Sequence, residues 1–322
     1  MATNGNLMNK PTVISTFAGC GGSSLGYAMA GFKELLATDW DKNSVETLKE
    51  NFPHTFVLQE DITKLTPEKV MEITGVKKGE LTVFDGSPPC QGFSMAGARQ
   101  INDPRNALFK AYINLVVGLQ PKAFVMENVP GMVMGKMKGV FNTILEELKS
   151  TGYEISVQIC NSADYGVPQA RRRLFFVGIR KDIGKKFEFP EPTTPKHITA
   201  YQALKDLEIT EELSYPGKAV TEKVLSVARE GQNGSKFNKG SFFNSHRITR
   251  FKPSPTITKT AGLFHWDEDR YLTIQECKRL SSFPDDFKFH GTHKQQWARI
   301  GNSVMPKMME AIAKQILVTI GE

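Results

Sequence analysis

The sequence predicts an α/β fold built on a doubly wound, mainly parallel sheet, and two observations carry that prediction. From about Pro11 to Arg180, short β-branched or aromatic runs alternate with helical patterns long enough to serve as right-handed βαβ crossovers. The first of these runs leads into a glycine-rich turn that opens a helix, and an acidic residue follows at the end of the second run. In sheets of this kind ligands sit beyond the carboxyl ends of the strands.

Taken in order, strands are expected at 12–17, 34–38, 81–85, 123–127, 154–160 and 174–180, where Val, Ile, Thr and Phe concentrate. Helices are expected between them at 23–30, 41–51, 104–118 and 140–150. The pattern changes near Phe187. Residues 187–195 are proline-rich and read as a linker, and the next eighty or so residues hold Gly- and Asn-rich turns in place of βα alternation. Helical patterning returns after Tyr271, at 273–282 and 303–320. No internal repeat is visible.

The composition is that of an ordinary globular protein, with 40% hydrophobic and 23% charged residues. It excludes collagen, coiled coil and a disordered chain. The most apolar stretch, Ala111 to Met126, is interrupted by Gln120, Pro121 and Lys122, so no membrane span is expected. The polar residues 1–11 carry no apolar core or Arg-rich pattern, which predicts a cytoplasmic protein. Four cysteines, Cys20, Cys90, Cys160 and Cys277, stand far apart without a CxxC pair. That spacing argues against a zinc site and a disulfide scaffold, and no metal is expected.

Charge adds a hint through its distribution. The 41 Lys and Arg against 34 Asp and Glu give a net charge of +7. From Gly231 to Trp266 the chain carries Lys236, Lys239, Arg247, Arg250, Lys252 and Lys259 and no acid, interleaved with Phe237, Phe242, Phe243 and Phe251. A solvated loop face would look like this, and so would a surface laid on nucleic acid.

Two constellations carry chemistry. The first is Phe17-Ala18-Gly19-Cys20-Gly21-Gly22 with Asp39 twenty residues beyond Gly19. Glycines let backbone approach a nucleoside closely, and a carboxylate at that distance can hold ribose hydroxyls. The pattern does not by itself separate a dinucleotide from S-adenosylmethionine. The second is Asp85-Gly86-Ser87-Pro88-Pro89-Cys90, which places a thiol just past a strand end on a stiff segment. Such a thiol can act as a nucleophile if cations or backbone N–H groups lower its pKa. The other three cysteines read as small buried hydrophobes. The next strand ends in Glu127-Asn128-Val129, so Glu127 would emerge at the same sheet edge, either as an acid or hydrogen-bond donor or as a cap on the following turn.

Pro88-Pro89-Cys90-Gln91, Glu127-Asn128-Val129, Gln169-Ala170-Arg171-Arg172-Arg173 and Gly301-Asn302-Ser303-Val304, after the opening Phe-Ala-Gly-Cys-Gly-Gly, occur in the order found in the DNA (cytosine-5) methyltransferase family. The sequence resembles that family from about residue 13 to 318. The resemblance implies a Rossmann-like sheet of the class I methyltransferase kind, with a smaller target recognition domain inserted before the C-terminal helix. The catalytic domain would span 1–187 plus 272–322 and the recognition domain 188–271.

The resemblance also implies roles. Cys90 would add to cytosine C6, Glu127 would hydrogen-bond N3 and the exocyclic amine, and Arg173 with Arg171 would fix the flipped base and its phosphate. S-adenosylmethionine would lie on Phe17, Gly19, Gly21 and Gly22, with Asp39 and Trp40 at ribose and adenine and Asp61 with Ile62 in the adenine block. Many relatives carry Glu at the position of Asp39. Pro89, Leu108, Asn302 and Ser303 would close that pocket. Ser94 in the loop after Cys90, and Lys236, Lys239, Arg247, Arg250, Lys252 and Thr256 in the recognition region, would contact double-stranded DNA, with Arg247 and Arg250 reading bases. The expected protein is a monomer, with a cognate restriction endonuclease as a partner in the same system.

Three alternatives differ in class. A tRNA cytosine-5 methyltransferase of the same fold would carry a Cys-Phe-Thr signature in the recognition region, and no cysteine lies between Cys160 and Cys277. An inactive DNA-binding subunit would lose the nucleophile or the glycine turn, and both are present. A dehydrogenase would leave Pro-Pro-Cys-Gln unexplained.

Overall fold

The computed structural model describes residues 10–89, 104–133, 138–237, 242, 245–260 and 262–322. In chain order its first elements are β1 (Thr12–Thr16), α1 (Gly22–Met29), β2 (Lys33–Asp39), α2 (Lys42–Asn51), β3 (Phe56–Gln59), α3 (Pro67–Thr74), β4 (Val83–Gly86), α4 (Pro104–Leu119), β5 (Ala123–Asn128), α5 (Lys138–Ser150) and β6 (Tyr153–Asn161). There follow β7 (Gln169–Ala170), β8 (Arg172–Arg180), α6 (Ala200–Leu204), α7 (Lys218–Val220), β9 (His246–Arg247), β10 (Ser254–Pro255), β11 (Leu263–Phe264), α8 (Ile274–Leu280), α9 (His293–Asn302) and α10 (Pro306–Ile320).

Seven strands form one sheet in the order β3-β2-β1-β4-β5-β8-β6. The pairs β1–β2, β2–β3, β1–β4 and β4–β5 are parallel, and β8 runs antiparallel to β5. Strand order reverses between β1 and β4, the switch point at which doubly wound sheets open a crevice for ligands. The glycine turn leaves β1 there, and Ser87-Pro88-Pro89 leaves β4. Phe84, Tyr112, Phe124 and Phe176 are fully buried in the main core of this sheet, and Tyr112 donates its hydroxyl to the Val125 carbonyl at 2.9 Å.

Most predicted elements fall where the sequence places them, with informative differences. The short, half-exposed β3 was not expected from its four residues, nor was the polar α3, whose N-cap Thr66 accepts from Lys69 N–H and which has Pro67 in its first turn. The expected helix at 303–320 starts only at Pro306. Ser303 is extended (φ −68°, ψ 148°) and closes a separate polar helix, α9.

The chain divides into two compact units, one of residues 1–160, 172–191 and 309–322, the other of residues 161–171 and 192–308. The boundary expected at 272 therefore moves to 308. Residues 272–308 pack in one core with the segment before them: Ala200, Ile248 and Ile257 share it with Cys277, Trp297 and Ile300. Trp297 Nε1 donates to the Thr258 carbonyl at 3.0 Å. Gly301 is needed at this contact, because a Cβ there would lie 2.3 Å from the Thr258 oxygen. Residues 309–322, most of the C-terminal helix, belong to the first unit.

Candidate active site

The glycine turn is locally built for close approach. Phe17 (φ 53°), Gly19 (φ 56°) and Gly21 (φ 85°) all adopt left-handed backbone. Gly21 has a further constraint, since a Cβ would lie 2.5 Å from the Phe52 ring. Asp39, at the end of β2, accepts from Gly19 N–H with Oδ2 and from Asp41 N–H with Oδ1, both at 2.9 Å. It thus holds the turn in shape, a function the sequence did not reveal. Trp40 beside it is 76% exposed, an aromatic face open to solvent at the crevice. Asp61 caps a single 3₁₀ turn by accepting from Thr63 N–H and the Thr63 hydroxyl, with Ile62 buried beneath. Pro89 is exposed, and Leu108 is partly buried against the main core. These residues fit a nucleoside-bearing group, with a backbone cradle, an exposed ring and carboxylates in one unit.

At the neighbouring strand ends, Arg173 Nε and Glu127 Oε1 form an ion pair at 2.9 Å, with 14% and 11% of the two side chains exposed. Antiparallel pairing brings this about, because Glu127 lies opposite Phe175 in the register. Burial pulls the Arg173 guanidinium below its usual pKa while Glu127 opposes that shift. Asn128 Nδ2 donates to the Pro88 carbonyl at 3.0 Å, tying the end of β5 to the segment leaving β4. Asn128 has no evident role in the sequence by itself; its place directly after Glu127 is the available signal. Cys90 and Ser94 lie outside the described residues. Cys20, Cys160 and Cys277 are buried, in keeping with small apolar side chains.

The second unit corrects part of the DNA-contact expectation. Arg247 is 6% exposed. Its Nε donates to the Ala228 carbonyl at 3.0 Å, its terminal nitrogens donate to the carbonyls of Leu225, His265 and Glu268, and it pairs with Asp269. It is turned inward as a strut, with its guanidinium held by internal partners. Arg250 is partly exposed, lies 5.9 Å from the Trp266 ring centroid, and pairs with Glu230 (3.3 Å) and Asp267 (3.4 Å). The acids flanking the acid-free stretch thus fold back onto two of its arginines, which sequence counting within that window could not show. Lys236, Lys252 and Lys259 are exposed, and Lys239 lies outside the described residues.

Arg171 is also inward, fully buried with Nη1 donating to the Ile257 carbonyl at 3.0 Å. Thr256 donates to the Ala170 carbonyl at 2.9 Å beside the β7–β10 pair. Between them Gln169 accepts from Ile257 N–H and donates to the Ser281 hydroxyl. Asn302 and Ser303 sit at the end of α9 in this unit, exposed and buried respectively. Arg247→Ala should lower the stability of this unit by about 2–4 kcal/mol, because several carbonyls would lose a donor. A thermal melt checks this, and an unchanged midpoint would contradict the strut.

Among the described residues no cluster of His, Cys, Asp and Glu is suited to a metal ion, and no helix is long and apolar enough to cross a membrane.

The sheet order, the switch-point turn and the Glu127–Arg173 pair define a class I methyltransferase domain. Residues 11–318 match the family model for C-5 cytosine-specific DNA methylase, and the chain belongs to that family and is a DNA (cytosine-5) methyltransferase. It is 35% identical over 325 residues to the Type II methyltransferase M1.HphI of Haemophilus parahaemolyticus, covering 95% of this chain and 86% of that one. With the Type II methyltransferase M.NgoPII of Neisseria gonorrhoeae it shares 31% identity over 344 residues, 97% of each. Among solved structures, a prophage-encoded E. coli protein described as a DNA modification methyltransferase superposes with a TM-score of 0.82 at 27% identity, covering 97% of this chain and 100% of that one. Spodoptera frugiperda DNMT2 shares the fold, with a TM-score of 0.71 at 20% identity over 96% and 100% of the two chains.

Proposed function

We propose that this enzyme methylates C5 of a cytosine flipped out of a specific double-stranded DNA site, through a covalent bond between Cys90 and C6. The observation that carries the proposal is the buried Glu127–Arg173 pair, tied through Asn128 to the Pro88-Pro89 segment that runs into Cys90. S-adenosylmethionine, the methyl donor of the family, would be held by Phe17, Gly19, Gly21, Gly22, Asp39, Trp40, Asp61 and Ile62.

The Cys90 thiolate would add to C6, its electron pair forming the Sγ–C6 bond while the C5–C6 π electrons move to C5. Glu127 would share a proton with N3 and accept from the exocyclic amine, taking up the charge pushed into the ring. Arg173 would keep the carboxylate pointed at the base. C5 would then take the methyl group of S-adenosylmethionine, whose S–CH3 bond breaks with its electron pair left on sulfur; a water molecule would take the C5 proton, and the electrons of that C–H bond would re-form the C5–C6 double bond as Sγ–C6 breaks, leaving 5-methylcytosine, S-adenosylhomocysteine and free Cys90. A target base stacked in a duplex must leave the helix to reach these groups.

Lys236, Lys239, Arg250, Lys252 and Ser94 would contact the DNA. The relatives named as Type II methyltransferases support a modification enzyme that works alongside a cognate restriction endonuclease, and it would act in the cytoplasm as a monomer. Bisulfite sequencing of DNA from cells expressing the protein tests the activity and reads the site; unmodified DNA would refute it.

Charge variants separate phosphate contacts from a solvated face. Lys236→Ala and Lys252→Ala should each flatten the slope of log affinity against log salt by about 0.9, on cognate and scrambled duplexes alike. Arg250→Ala should cost about 1–3 kcal/mol on the cognate site and little elsewhere. A salt titration of binding checks both, and wild-type slopes and affinities throughout would place DNA recognition on another part of the unit.

A further inference from the structure

Beneath α1 the first unit buries six polar side chains: Ser15 of β1, Glu34 of β2, Asp85 of β4, and Ser23, Ser24 and Tyr27 of α1. Ser15 and Ser24 donate their hydroxyls to Glu34 Oε1 at 2.6 and 2.8 Å. The Tyr27 hydroxyl donates to Asp85 Oδ1 at 3.2 Å, and Ser23 also hydrogen-bonds to Asp85. Burying two carboxyl groups costs free energy that a Phe and an aliphatic residue in the same space would not. The methyl-transfer steps above use none of these six.

What the network joins indicates its use. α1 begins at Gly22, where the glycine turn ends, and Asp85 is the penultimate residue of β4, three positions before Pro88. The exit of β4 is held on its other sides as well. Thr16 Oγ1 donates to the Asp85 carbonyl at 3.1 Å, a Cβ on Gly86 would lie 2.5 Å from that same hydroxyl, and Asn128 grips the Pro88 carbonyl. The Tyr27–Asp85 bond completes this arrangement by fastening the glycine-turn helix to the strand that delivers Pro88-Pro89.

We propose that Asp85 and Tyr27 are positioning residues that set the cofactor-binding turn against the Pro88-Pro89 segment, so that cofactor affinity and turnover depend on their mutual bond. The proposal rests on reading the glycine turn as the S-adenosylmethionine site. Burial pushes the Asp85 carboxyl up to about 8 and the Glu34 carboxyl up to about 7. Among the described residues the titratable groups acting on Asp85 are Tyr27 on α1, Tyr112 on α4, Glu34 on β2 and Glu127 on β5, none of them cationic. Because the folded state holds these protons more tightly than the unfolded chain, their stabilising effect is complete below the ordinary carboxylate range. It is lost as pH rises through about 7 and then about 8. Neutral Asp85 accepts the Tyr27 bond without a buried charge; ionised Asp85 adds one.

The test compares wild type with Tyr27→Phe, Asp85→Asn and the double variant. It measures S-adenosylmethionine binding by calorimetry, kcat and KM from about pH 6 to 9, and the melting temperature. Tyr27→Phe, which removes the donor, should weaken cofactor binding and lower kcat about three- to tenfold; Asp85→Asn, whose amide oxygen still accepts from the Tyr27 hydroxyl, should lose only the ionisable proton, and the double variant should match Tyr27→Phe. Wild-type kcat/KM should fall with an apparent pKa near 8, and Asp85→Asn should lack that limb. Variants that bind cofactor and turn over as wild type does, with the same pH profile, would overturn the proposal whatever their melting temperature. Should Asp85→Asn fail to fold, the conservative Tyr27→Phe decides the matter alone. A folded wild type that binds no S-adenosylmethionine would instead refute the underlying cofactor reading.

Discussion

Cys90→Ala is expected to abolish methyl transfer, with a loss of about 10⁴-fold or more, because without the thiolate C5 is not nucleophilic enough to take a methyl group. Cofactor binding should persist, since the glycine turn, Asp39 and Trp40 stand at the ends of β1 and β2 and do not depend on the thiol. DNA containing 5-fluorocytosine should trap wild type covalently, because fluorine at C5 blocks the proton loss needed for release. The measurement is a denaturing gel of the adduct alongside a methyl-transfer assay. An adduct formed by Cys90→Ala would assign the nucleophile elsewhere.

Glu127→Gln should give the second largest effect, a fall in kcat of about 10²–10⁴-fold, the range ascribed to a positioned acid or base. DNA affinity should fall far less, because the amide preserves the shape. Arg173→Ala should approach the same loss by a different route, since it removes the 2.9 Å partner that orients the carboxylate in a largely buried site. As members of one pair the two substitutions should be non-additive, the double variant falling well short of the product of the singles. Single-turnover kinetics and duplex binding measured on the same preparations separate these effects. Unchanged turnover in Glu127→Gln would make the carboxyl structural.

Much of the architecture was legible from local pattern. The strands of the central sheet carry β-branched and aromatic runs, and capping residues such as Asp41, which accepts from Ser44 N–H, and the Thr273/Glu276 box stand at helix starts. Illegible were the elements with little local signal. β3 is four residues long and half-exposed, and α9 buries only Trp297, Ile300 and Gly301 among ten residues, so both carry little apolar content to mark them. The antiparallel direction of β8 was equally hidden, because a strand's composition does not encode the direction of its neighbour.

By itself the sequence determined the fold class, the glycine turn with its acid, the position of Cys90 after two prolines, and the ordered blocks that mark the family. All of these depend on residues near one another in the chain or on the identity of short motifs. Only the tertiary structure decided which basic residues face outward. Arg171 and Arg247 look like their neighbours in sequence, yet each is buried with its guanidinium on backbone carbonyls, Ile257 for one and Ala228 among others for the second. Asp39 likewise proved to hold the turn through two backbone N–H groups. A side chain's partner is set by which segments pack together, and a buried donor or acceptor must be satisfied wherever packing places it. Composition can count the charges of a segment, but the fold determines which are spent internally.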